Sequence, residues 1–169
     1  NMSDIYLLQK KYEQSLRLLK RYEKMYKGSP TCSMLQRKFL VLYNLKRCPA
    51  LLNISMKNCP HFKLHLFRGR CFEKTGSSQQ ALKEYSLARR LVPNTIDPID
   101  AIANLHYGMK HYKKARKLYE KLLRRQPSNK LYLLRLVRIS LYYLHYRKAY
   151  RLIRRRVGDF DFAVELERA

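Results

Sequence analysis

The sequence predicts an all-α fold, a right-handed solenoid of about four to five antiparallel helix pairs, and three observations carry that reading. Five glycines and six prolines stand among 169 residues, while Leu, Lys, Arg and Tyr abound, a composition that favours helix. No strictly alternating run is long enough for a strand. Small and aromatic residues recur with a period of 34: Ala81, Ala115 and Ala149, with Tyr85, Tyr119 and Ile153 four positions after each, and Pro93 and Pro127 at the same interval.

Two helices per 34 residues explain that spacing. A small residue lets the second helix of a pair approach the first closely, and an aromatic one turn later fills the groove beside it. Proline ends the pair, because it has no N–H with which to continue the helix. Each pair buries its apolar face only by stacking on its neighbours.

Taken in order, the chain reads as a single helical-repeat domain over 1–169. Residues 1–61 form degenerate pairs. Within them "KYEQSLRLLKRYEKMY" (11–26) has the pattern of a second helix, with Tyr12 and Ser15 in the positions of the Tyr–Ala pair, and "MLQRKFLVLYNL" (34–45) has that of a first helix. Pro49 suits the first turn of the helix that follows, where a missing N–H is harmless. Residues 62–95 and 96–129 are the two well-formed pairs, and 130–160 is a degenerate third. Residues 161–169 read as the start of a capping or further helix, with Asp161 as its N-cap. Asn1 ahead of Met2 reads as an added residue, which makes Met2 the expected native start.

Gly69, Phe72, Ala81, Tyr85, Ala88 and Pro93 in the first clear pair, and Ala103, Ala115, Tyr119 and Pro127 in the second, resemble the consensus of the tetratricopeptide repeat (TPR) family. The third pair keeps Ala149, with Leu133, Leu136 and Ile153 as replacements, and no pair has the family's Trp near its start. The stretch "HLFRGRCFEKTGSSQQALKEYSLARRL" is also similar to repeats in the TPR subunits of the anaphase-promoting complex. That resemblance implies a non-catalytic scaffold or adaptor in a multisubunit ubiquitin-ligase or cell-cycle assembly, with other subunits or a second copy as partners.

The TPR resemblance implies a concave groove lined by the first helix of each pair. In this register it offers Lys63, Arg70 and Lys74, then Asn104 and Tyr107, then Arg135, Arg138 and Tyr142. Arginine supplies bidentate contacts to carboxylates and asparagine can fix a peptide backbone, so the expected partner is an acidic protein or peptide segment. The competing expectation is that some of these side chains pack against the next helix. The chaperone-tail clamp of some TPR proteins is not expected, because its positions hold Leu66, Arg70, Ala101, Leu131 and Arg135, of which Arg135 alone fits.

Net charge is +25, and it is uneven. Between Lys110 and Arg156 stand seventeen Lys and Arg against one Glu, whereas 159–169 carries four acids and one Arg. Such a field attracts acidic partners without naming them. In "YKKARKLYEKLLRRQ" (112–126) Tyr112, Ala115, Leu118, Tyr119, Leu122 and Leu123 form one apolar stripe, so the helix is structural and its cations occupy the outer face. The alternative reading, a basic RNA- or DNA-binding repeat, centres on Arg151, Arg154, Arg155 and Arg156 with Tyr142, Tyr143, Tyr146 and Tyr150 nearby. Against it, Tyr146 and Tyr150 would serve the interrepeat core.

No H-E-x-x-H, G-x-S-x-G or Walker loop is present, so no catalysis and no cofactor are expected. Cys59, His61, His65 and Cys71 lack the paired Cys-x-x-Cys spacing of structural zinc sites, and no metal is expected. The longest apolar run, "FLVLY" at 39–43, cannot span a bilayer, and "NMSDIYLL" lacks the layout of a signal peptide. The four cysteines are therefore expected as free thiols in a reducing compartment, cytosolic or nuclear.

Overall fold

A computed structural model describes residues 2–25, 30–56 and 59–154. Every regular element among them is helical. In chain order these are α1 (Met2–Leu8), α2 (Tyr12–Met25), α3 (Cys32–Asn44), α4 (Cys48–Leu52), α5 (Phe62–Lys74), α6 (Ser78–Leu91), α7 (Ile96–Gly108), α8 (Tyr112–Arg125), α9 (Lys130–Tyr142) and α10 (Tyr146–Arg154). The starts of α5, α7 and α9, at 62, 96 and 130, are 34 residues apart, as are those of α6, α8 and α10. Arg155, Arg156 and the helix start expected at Asp161 lie outside the described residues.

Local chemistry sets the helix ends. Thr31, His61 and Asn129 cap α3, α5 and α9 with side-chain acceptors for the backbone N–H of Met34, Lys63 and Tyr132. Pro49 sits in the first turn of α4. The turn inside each helix pair is built the same way five times. Lys10, Lys46, Gly76, Lys110 and Leu144 take positive φ, and the next residue's N–H returns to a carbonyl five residues back, as in Ser77 to Phe72 and His145 to Ser140 at 2.8 Å. This is a Schellman closure, which satisfies carbonyls the helix leaves open.

The chain gathers into two compact units, Asn1–Ala101 and Ile102–Ala169, with the boundary inside α7. In unit 1, α2 packs on α1 and α3, and α5 packs on α3, α4 and α6. Its core joins Leu16, Leu19, Leu35, Phe39, Val41, Leu42, Leu51 and Leu64. Glu84 on α6 ties down α5, accepting from His65 at 2.7 Å and from Arg68 at 3.1 Å. Burial works against its charge, but the bond to His65 and the Arg68 guanidinium prevail and hold the carboxyl below its ordinary pKa. In unit 2, α9 packs on α8 and α10 around Leu122, Leu133, Leu136, Val137 and Ile139. Ala81, Ala115 and Ala149 are all buried within their own units, as small residues at close helix crossings should be.

The free thiols expected from the sequence are not found. Cys32 is bonded to Cys59 and Cys48 to Cys71, so both bridges lie in unit 1. The pairing escapes a sequence reading because the partners are 27 and 23 residues apart and meet only once α3 and α4 have packed on α5.

Candidate functional site

In unit 1 a cleft of 460 Å³ opens between α3 and α5 and reaches the first turn of α7. Leu40, Leu66 and Phe67 make its apolar part, and Lys63, Arg70, Arg37 and Asp97 stand around it with Ser33 and Gln36. Arg37 is already committed, donating from Nε and Nη2 to Asp4 at 2.7 and 3.0 Å. Lys63 and Arg70, two of the residues named from the sequence, supply cleft cations with no such bidentate acid among the described residues. Lys74, the third, holds its ammonium 4.1 Å from the centre of the Tyr43 ring, with the Arg70 guanidinium 6.0 Å from the same ring. Phe67 packs on Tyr43 at 5.4 Å.

Tyr43 and the α3 lining were missed in the sequence for an identifiable reason. The cleft takes Ser33, Gln36, Arg37 and Leu40 from α3 and Lys63, Leu66, Phe67 and Arg70 from α5, two sets offset by 30 residues. Asp97 follows Lys63 by 34. A 34-residue template passes over α3, whereas its i, i+3, i+4, i+7 pattern was visible at the shorter offset.

Unit 2 brings together Tyr107 of α7 with Arg135 of α9, the guanidinium lying 4.2 Å over the ring. The buried Nε of Arg135 has no hydrogen-bond partner, and no carboxylate pairs with Arg135 or Arg138 among the described residues. Asn104 accepts the Tyr119 hydroxyl at 2.8 Å through Oδ1, which leaves its amide NH2 as the group to offer a ligand. Tyr142 meets Tyr112 edge-on at 4.5 Å, and Tyr112 meets Tyr107 at 5.5 Å, so these rings brace one another.

Tyr85 occupies in unit 1 the repeat position that Tyr119 holds in unit 2. Its hydroxyl donates to Glu73 at 2.7 Å, and burial, followed by that bond, raises its pKa above the ordinary value. His106 is buried in unit 2 with Nδ1 unpartnered. Burial first, then Lys114 and His111, lower its pKa.

Of the residues named for nucleic acid, Arg151 and Arg154 lie on α10 and are exposed. Tyr146 and Tyr150 do not fill the core as the competing expectation had it: each is 62% exposed. Among the described residues no three His, Cys, Asp or Glu side chains gather where a metal could sit, and Cys59 and Cys71 are taken by their disulfides. No described helix is long and apolar enough to cross a membrane.

MamA from Desulfovibrio magneticus RS-1, in a form running from residue 41 to its end, superposes with a TM-score of 0.79 at 20% identity, covering 99% of this chain and 92% of that one. The fold is that of a tetratricopeptide-repeat solenoid. A TPR protein from Parabacteroides merdae gives 0.72 at 13% identity over 95% of this chain, which spans 64% of that protein's length. YrrB, described as a TPR protein with an unusual peptide-binding site, gives 0.65 at 17% over 78% and 69% of the two chains. No family profile and no curated protein sequence matches the chain. These identities carry the fold; nothing in them connects the chain to the anaphase-promoting complex.

Proposed function

We propose that the protein is a non-catalytic scaffold in which α7 and α9 of unit 2 hold an acidic segment of a partner protein. The observation that carries this is Arg135, lying over Tyr107 with no carboxylate partner among the described residues, and Arg138 one turn further along α9. A guanidinium held over an aromatic ring loses less freedom on binding, so a carboxylate arriving there gains a partly pre-organised bidentate partner. Asn104 adds a donor for the peptide backbone, its amide oriented by Tyr119. In unit 1 the cleft suits an apolar side chain between Leu66 and Phe67, with Lys63 and Arg70 for flanking acids. A peptide-binding protein among the structural neighbours supports a reading of this kind. Membership of a multisubunit complex, such as a ubiquitin-ligase or cell-cycle assembly, is the setting we propose for it.

The test is fluorescence anisotropy with labelled Asp/Glu-rich peptides that carry one central Leu or Phe. Arg135→Ala or Arg138→Ala should weaken binding about tenfold or more, given the ~1.5–3 kcal/mol of a charge-assisted hydrogen bond, while Arg154→Ala changes little. If Arg154→Ala is the more damaging substitution, the inner faces are not the binding site.

A further inference from the structure

The second surface lies on α8 and α10. From Lys110 to Arg154 the chain carries one acid, Glu120. That acid is neutralised locally, by Arg116 at 3.4 Å and Lys148 at 3.2 Å. The Glu120–Lys148 pair also reaches from α8 to α10, both of which pack on α9, so their cations add to one field. Lys113, Lys117 and Arg124 are exposed on α8, and Arg147, Arg151 and Arg154 on α10. Arg151 lies back along its own helix, Nε to the Arg147 carbonyl at 3.3 Å. No carboxylate pairs with the three α10 arginines among the described residues.

Charge alone would suit any polyanion, and the tyrosines narrow it. Tyr146 and Tyr150 stand one turn apart on α10, each 62% exposed, while Ala149 between them is buried. Four residues of helix separate the two Cα positions by ~6 Å along the axis. That is nearly twice the ~3.4 Å step of stacked bases in a duplex strand. That spacing suits bases splayed apart on a single strand better than the stacked bases of a duplex. A chain of Asp and Glu alone would satisfy the arginines but brings no aromatic ring to stack on the tyrosines, whereas every base has a π-face.

We propose that this face of unit 2 binds single-stranded nucleic acid, Arg147, Arg151 and Arg154 meeting phosphates while unpaired bases stack on Tyr146 and Tyr150. The surface is separate from the inner-face site and stands or falls independently of it.

The experiment is anisotropy with fluorescein-labelled dT15, a duplex of the same length, and poly-L-glutamate as competitor, from 50 to 300 mM KCl. The expected result is tighter binding of dT15 than of the duplex. Log affinity should fall with log salt by about 0.7 per phosphate neutralised on a single strand, so roughly 2 for three arginines. Tyr146→Ala with Tyr150→Ala should weaken dT15 about tenfold or more while helix content and melting are kept, and Tyr→Phe at both positions should restore binding, because the stacking face is retained. Arg135→Ala should leave dT15 affinity unchanged. Equal affinity of the duplex, displacement by poly-L-glutamate at matched charge, or indifference to the double alanine change would overturn the proposal. Should the alanine variant fold poorly, Arg147→Gln with Arg151→Gln at exposed positions carries the test, and an unchanged salt slope sinks it.

Discussion

Gly69 faces the ring of Tyr85 with no room for a methyl group, since an added Cβ would stand 2.5 Å from Cδ1 and 3.0 Å from Cζ. The ring cannot give way easily: it is buried, and its hydroxyl is fastened to Glu73. Gly69→Ala should therefore cost about 1–3 kcal/mol through overpacking, against the ~1 kcal/mol that alanine gains over glycine in a helix interior. Urea denaturation should show a net loss, and a stabilised variant would refute the contact. In the next repeat the same slot holds Ala103, and there the equivalent tyrosine, Tyr119, bonds Asn104 instead. A different residue-level strain sits at Leu144, whose φ of 56° lies in the left-handed region and whose side chain is exposed. Side chains there cost roughly 1–2 kcal/mol, partly offset by glycine's larger unfolded-state entropy. Leu144→Gly is expected to raise stability by about 0.5–1 kcal/mol, read as a higher urea midpoint with unchanged m-value.

Among the elements, α5 to α8 were legible because composition, apolar stripe and 34-residue punctuation agree there. The turns were harder, because four of the five Schellman closures use Lys or Leu where a glycine would have marked the stop, and only Gly76 carries the usual signal. The α3 helix was visible as a helix but not as part of a site, its 30-residue offset from α5 falling outside the template. The candidate residues on α5, α7 and α9 could be named one by one from the register; that Arg135 would lie over Tyr107, with no carboxylate partner among the described residues, required the packing of α9. Cysteine pairing was not legible at all, and it now supplies an element-level prediction. The two bridges tie α3 to the segment before α5 and α4 to α5 itself, closing loops of moderate length. Chain-entropy arguments assign each about 3 kcal/mol. Reduction with a phosphine should lower the stability of unit 1 by several times thermal energy, while hydrogen exchange in α8 and α9 stays as protected as before. Equal loss of protection in α8 and α9 would show instead that the two units unfold together. The free thiols expected from the sequence followed from the reducing compartment that the missing signal-peptide layout suggested, and four bonded cysteines speak against that compartment, since disulfides persist mainly where conditions are oxidising.

At the scale of the molecule the governing quantity is the charge of +25, which acid makes worse. Protons taken up in acid add to the self-repulsion of so cationic a chain. His106 resists, because burial and the neighbouring Lys114 and His111 lower its pKa in the folded state. The unfolded chain then binds a proton near pH 6.5 that the folded chain refuses. Stability from this group is present in full above the unfolded value and is lost progressively as pH falls toward the lowered folded one. The carboxyl of Glu84 adds a second loss further down, below the ordinary carboxylate range, because its folded pKa is also depressed. Thermal melts at pH 7.5 and 5.5 should accordingly show a lower Tm at 5.5. The drop should be larger in 50 mM than in 500 mM NaCl, as added salt shortens the Debye length from well over 10 Å to a few ångströms. His106→Gln separates the two causes, since it removes the buried titration and keeps the global repulsion. If that variant shows the full salt-independent part of the drop, His106 is not its source; if high salt leaves the whole drop in place, repulsion across the cationic surface is not limiting stability.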